Sequence, residues 1–135
     1  METVRKVAYF YIEAPNKPGE GAKVLAALRD AGVNLLAFSG FPRGRKAQID
    51  FIPEDPALFK AAARKAGLKL SAAKTGFLIH GEDRPGAVAG IMGKLGDAGI
   101  NVTAIDAVGA GEGCYGAILW VKSADVPKAA KALGA

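Results

Sequence analysis

Shifted by 67 positions, the chain aligns with itself without a gap. Asn16-Lys17-Pro18-Gly19 falls on Asp83-Arg84-Pro85-Gly86, and Asp30-Ala31-Gly32-Val33-Asn34-Leu35 falls on Asp97-Ala98-Gly99-Ile100-Asn101-Val102. Over residues 10–44, 12 of 35 positions are identical, and the matches gather in the turns. A duplicated chain of 135 residues is constrained to fold as two small modules on one plan, residues 1–73 and 74–135. Half of the residues are hydrophobic and 23% are charged, enough apolar material for packed cores.

Each copy reads as the same string of elements. Lys6 to Glu13 and Thr75 to His80 are strands by their β-branched and aromatic content. Asn16 and Asp83 then have N-cap chemistry, with Pro18 and Pro85 inside a first helical turn. The helices carry apolar faces Gly21, Val24, Leu25, Leu28 and Val88, Ile91, Met92, Leu95, spaced i, i+3, i+4, i+7. Gly32 and Gly99 stand where a helix ends in a left-handed residue. Strands Asn34 to Phe41 and Asn101 to Val108 follow, then Ala47 to Pro53 and Cys114 to Val121. Second helices open at Asp55-Pro56 and at Ser123, with matching faces Phe59, Ala62, Ala63, Ala66 and Val126, Ala129, Ala130, Leu133. A fourth strand is expected near Lys69 to Ala73.

The order is that of an α+β chain of two ferredoxin-like βαββαβ modules, each an antiparallel sheet with its helices on one face. The second module lacks its own C-terminal strand, because Gly134 and Ala135 follow its last helix. Its first strand, Thr75 to His80, would then be a bare edge, which invites unwanted pairing. Two remedies are open: a second chain, or the residues around Met1 to Lys6, which the 67-residue shift places near Leu68 to Lys74. The shortness of that segment favours the second chain.

A strand, then Asn/Asp-x-Pro-Gly opening a helix, then Gly-Val/Ile-Asn-Leu/Val opening the next strand, resembles the ACT domain family. The resemblance runs twice over essentially the whole chain and suggests a small free-standing tandem ACT protein. It implies a regulatory sensor of amino acids, acting allosterically on a protein partner or through its own oligomeric state, a homodimer being expected. The family binds ligand at the first loop and helix N-terminus, which implies Asn16, Pro18, Gly19, Asp83, Pro85 and Gly86 here. It also places an amide at the start of the following strand, which implies Asn34 and Asn101.

Physical chemistry supports that loop as a site. A helix N-terminus presents unpaired N–H groups and partial positive charge to a carboxylate. Glycine lets a ligand approach the backbone closely. The two copies differ: Asp83 can attract an ammonium group where Asn16 is neutral, and Glu20 brings an acid to a helix start where Ala87 stands in copy two. The Asp83 site is therefore favoured.

Other function classes find little support. The net charge of +5 divides into +4 for residues 1–67 and +1 for residues 68–135, and the one basic cluster, Arg43, Arg45 and Lys46, reads as a solvated hairpin tip. RNA-recognition modules share the topology but require exposed aromatics and a signature on the central strands that neither copy carries, so no nucleic-acid partner is expected. A lone His80 and a lone Cys114 make no acid–base, nucleophilic or metal-binding set, so no enzyme activity, cofactor or metal is expected. His80 reads as a strand-end residue and Cys114 as a small strand residue. One cysteine and the absence of a signal-peptide pattern or an apolar run of about 18 residues imply a cytoplasmic protein with no membrane partner. The rival to the sensor is a protein-interaction subunit whose ligand sites are vestigial.

Overall fold

Alternating apolar residues along six strands set the architecture seen in a computed structural model, which describes residues 2–135. The elements run β1 (Thr3–Pro15), α1 (Glu20–Asp30), β2 (Leu35–Arg43), β3 (Lys46–Pro53), α2 (Pro56–Lys65), β4 (Lys74–Glu82), α3 (Ala87–Asp97), β5 (Val102–Gly111), β6 (Cys114–Val121) and α4 (Val126–Leu133). They form two compact units, one of Ala8–Lys74 and one of the N-terminal segment through Val7 with Thr75–Ala135.

Within Ala8–Lys74 the strand order is β2-β3-β1, antiparallel throughout. The pairs Phe10↔Phe51 and Ile12↔Ile49 put successive apolar residues on one face. There they meet Val24 and Leu28 of α1 and Phe59 of α2 in one buried cluster. The Phe59 ring lies 5.2 Å from those of both Phe10 and Phe51. Burying each such ring contributes roughly 1.5–3 kcal/mol. Asp55 caps α2 as its position suggests, its Oδ1 accepting from the Leu58 N–H at 3.2 Å.

The expected fourth strand of this copy does not form; residues 68–73 run as irregular backbone. Ser71 still ties the segment to β1. Its N–H donates to the Tyr11 carbonyl at 2.9 Å, while the Tyr11 N–H donates to the Ser71 hydroxyl at 3.0 Å. A hydroxyl thus stands where a ladder would present a carbonyl.

In the other unit, β4 pairs with β6 and β6 with β5, both antiparallel. Phe77, Ile79, Leu119 and Val121 face Ile91, Leu95, Ala129 and Leu133 of the two helices. The face of α3 is rotated from the expected one: Ala87, Ile91 and Leu95 are buried, whereas Met92 is 38% exposed.

The open edge of β4 is covered from within the chain. β1 is its hydrogen-bonded neighbour, the Thr3 hydroxyl lies 3.5 Å from the His80 carbonyl as a donor, and Val4 packs against the core cluster. The expectation of a second chain at this edge is therefore corrected, and residues 2–7 group with the second copy. Three or four extended residues are enough, because an edge needs only alternate backbone groups of its neighbour.

Deleting residues 2–6 exposes the β4 edge and lowers the thermal midpoint. Each kcal/mol lost shifts it by about 4–8 °C in a domain of this size. An unchanged melting curve would mean that the edge strand carries no stability.

Candidate functional site

The loop between first strand and first helix turns more sharply than a capped helix start. The residues at the N-cap positions are Gly19 and Gly86, with φ of 89° and 84° and no side-chain cap, so Asn16 and Asp83 are not the caps expected of them. The cause is a tight turn through the proline. Glu20 donates its N–H to the Lys17 carbonyl at 3.4 Å and Ala87 to that of Arg84 at 3.2 Å, and closing such a turn at left-handed φ needs glycine. Pro18 and Pro85 therefore precede the helices rather than sit inside them. Asn16 and Asp83 are left at the mouth of the loop with their side chains uncommitted to the helix.

Beside each loop lies an open cavity, and the two coincide under the 67-residue shift. One, of about 270 Å³, is lined by Asn16, Lys17 and Glu20 of the loop and helix and by Gly40, Phe41 and Pro42 of β2. The other, of about 390 Å³, is lined by Asp83, Arg84 and Gly86 and by Ala107, Val108 and Gly109 of β5, with Tyr115 of β6. Their chemistry differs. Lys17 pairs with Glu20 at 3.6 Å in the first. In the second, Arg84 faces Ala87 at the corresponding place, so its guanidinium has no such partner one turn on.

Tyr115, which the sequence did not single out, organises the second cavity. It is 3% exposed, and its hydroxyl donates to the Glu2 carboxylate at 2.7 Å. Burial first, then the hydrogen bond and charge of Glu2, push its pKa up to about 12, with Arg84 pulling the other way. Gly81 makes room for its ring, and Gly109 makes room for the Asp83 carboxylate beside it. Gly81 and Gly109 stand opposite Tyr115 on its two neighbouring strands. A Cβ on Gly81 would lie 2.8 Å from the ring, and one on Gly109 would lie 3.1 Å from the Asp83 carboxylate. The signal that could have found Tyr115 is that pair of glycines, visible only once the strand register is known.

The remaining candidates lie elsewhere. Asn34, just ahead of β2, donates its side-chain amide to the Glu54 carboxylate at 2.8 Å, and its backbone carbonyl accepts the Glu54 N–H at 2.9 Å. Asn101 is exposed just ahead of β5, and neither asparagine lines either of these two cavities. Pro18, Gly19 and Pro85 shape the loops without lining the cavities, whereas Asn16, Asp83 and Gly86 line them. His80 is exposed, and the Cys114 thiol donates to the Glu112 carbonyl at 3.7 Å. Among the described residues no three His, Cys, Asp or Glu side chains gather as a metal set, and no helix is long and apolar enough to cross a membrane.

The family model of the ACT domain matches residues 76–135. Residues 76–135 thus carry an ACT domain, and residues 8–74 repeat its element order. No curated protein matches the chain in sequence. In structure it is similar to protein BT0572 from Bacteroides thetaiotaomicron, with a TM-score of 0.83 at 19% identity over 97% of this chain and 88% of that one. It is also similar to the ligand-free regulatory subunit of aspartate kinase from Thermus thermophilus, with a TM-score of 0.67 at 18% identity over 98% and 94% of the two chains. The corresponding subunit from Thermus flavus gives 0.61 at 16% identity over 99% and 94%. At these identities the fold is what is shared.

Gly81→Ala is expected to destabilise the protein by about 1–3 kcal/mol in chemical denaturation, since the tyrosine has nowhere to retreat. Gly90→Ala, where a Cβ meets open space on α3, should be neutral or stabilising by about 0.5–1 kcal/mol. Equal effects would remove the packing argument. Tyr115 also marks a pH window. A phenol whose pKa rises from 10.0 unfolded to about 12 folded holds its proton more tightly in the native state. Its contribution is complete below pH 10 and is lost as pH climbs towards 12. Stability measured across that range should fall more steeply in the wild type than in Tyr115→Phe.

Proposed function

We propose that this protein is an amino-acid sensor whose working site is the cavity at Asp83, Arg84 and Gly86, and that it passes the signal to a protein partner or through its own assembly. The observation that carries this reading is the lining itself: a carboxylate, a guanidinium and a glycine-opened helix start around about 390 Å³, a size suited to one small zwitterion. The α-ammonium would face Asp83. The α-carboxylate would face Arg84 and the backbone N–H groups at the start of α3. Solved structures described as regulatory subunits of aspartate kinase share the fold, which supports a regulatory role rather than a catalytic one.

The cavity at Asn16 favours a second reading for its own copy. Glu20 brings negative charge to the helix start and Lys17 is already paired with it, so a carboxylate would have to displace an existing ion pair. That site is the vestigial one. Phe38 and Phe41, 43% and 42% exposed beside it, suit contact with a protein surface instead.

A thermal-shift screen against the twenty amino acids tests the sensor reading. A ligand at a hundredfold excess over its Kd adds about 2.7 kcal/mol of stability, an easily read shift. Asp83→Ala should abolish it and Asn16→Ala should leave it intact. No shift with any amino acid, together with a stable complex formed with a partner protein, would favour an interaction subunit.

A further inference from the structure

The Asp83 cavity is closed on one side by a residue that also holds the chain's N-terminal strand. Tyr115 lines the cavity, and its hydroxyl is bonded to Glu2, 113 residues away in sequence. We propose that an amino acid in this cavity and the docked N-terminal segment stabilise one another through Tyr115, so that occupancy of the site controls how firmly residues 2–7 cover the edge of β4. The proposal rests on the sensor reading and names its output.

Three observations carry it. The tyrosine ring has little freedom: it is buried, the flanking Gly81 backbone lies against it, and a Cβ there would overlap its edge at 2.8 Å. A change in what presses on the ring from the cavity is therefore passed to its hydroxyl and to Glu2 rather than absorbed. Next, the N-terminal segment is weakly held. Glu2, Thr3, Arg5 and Lys6 are exposed, and Val4 is its anchor in the core cluster. An element with few buried contacts opens and closes at small free-energy cost and responds to a modest input. Last, Glu2 sets a second carboxylate one hydroxyl away from a cavity that already holds Asp83, which favours a ligand carrying an ammonium group.

The first copy provides an internal control. At the position of Tyr115 it has Gln48, whose amide accepts from Arg43 at 2.8 Å and donates to Asp50 at 3.0 Å. That side chain is engaged on β2 and β3 and reaches no terminal strand. The coupling thus belongs to one cavity only. Its consequence for a partner is physical: when residues 2–7 lift, β4 presents an unpaired edge able to accept another strand.

Hydrogen exchange on the full chain, with and without whichever amino acid shifts the wild-type melting curve, tests the coupling. Saturating ligand should slow exchange of the amides of residues 3–7 in the wild type. Glu2→Gln and Tyr115→Phe should bind that amino acid roughly five- to tenfold more weakly, the scale of one ordinary hydrogen bond, and should lose the added protection. Should either variant melt lower yet keep wild-type affinity and wild-type ligand-induced protection, Glu2 is only a peg for the strand and the coupling is wrong. Silence of the wild type to every amino acid overturns the sensor reading itself and the coupling with it.

Discussion

The hydrogen-bonding demand of one strand edge shapes much of this molecule. β4 is the first strand of its copy, and among the described residues its hydrogen-bonded neighbours are β6 and β1. Its outward N–H and C=O groups need a neighbour, and the start of β1 is that neighbour. This explains why β1 runs for 13 residues when strands are commonly about 5–6 long: its two ends serve different units. It also explains how Glu2 comes to lie beside Tyr115. The residue bonded at the second cavity arrives there because a backbone edge required covering.

On a shared scaffold the two copies have diverged in charge and in side-chain volume. Both build the proline-glycine turn, both start the helix after a left-handed glycine, and both leave an open cavity against the following strand. What fills the surroundings differs. Copy one has an ion pair at the helix start and an amide network on its strands; copy two has Ala87 at the helix start, two strand glycines and a buried tyrosine. Turn geometry is dictated by backbone sterics and is therefore kept, while the lining is free to change without cost to the fold.

Several elements were legible from residues alone. β6 runs from Cys114 to Val121 as its apolar run between glycine-rich turn and polar helix start indicates, and Asp55 caps α2 because an Asp-Pro pair has few other uses there. The failures share a cause. Asn16 and Asp83 look like caps, yet the turn at Pro18-Gly19 and Pro85-Gly86 moves the helix start three residues on and rotates α3 so that Ala87 rather than Met92 is buried. Lys69 to Ala73 has strand-like neighbours but meets β1 through the Ser71 hydroxyl. Where Asn34 lies was equally illegible: it stands at the far end of β2 from the loop, its amide donating to Glu54.

Local pattern and the repeat thus determined the two-copy plan, the ACT resemblance, the strand and helix order and the loop at which a cavity forms. These depend on periodicity, turn residues and pairing of like segments, all short-range or self-referential properties of the chain. Tertiary structure alone decided what closes the β4 edge and which side chains line the cavity beside Asp83. Tyr115 meets Glu2 across 113 residues, and Gly81 matters only because strand register sets it opposite Tyr115. Register and long-range contact follow from the packing of whole elements, and no spacing within a segment encodes them.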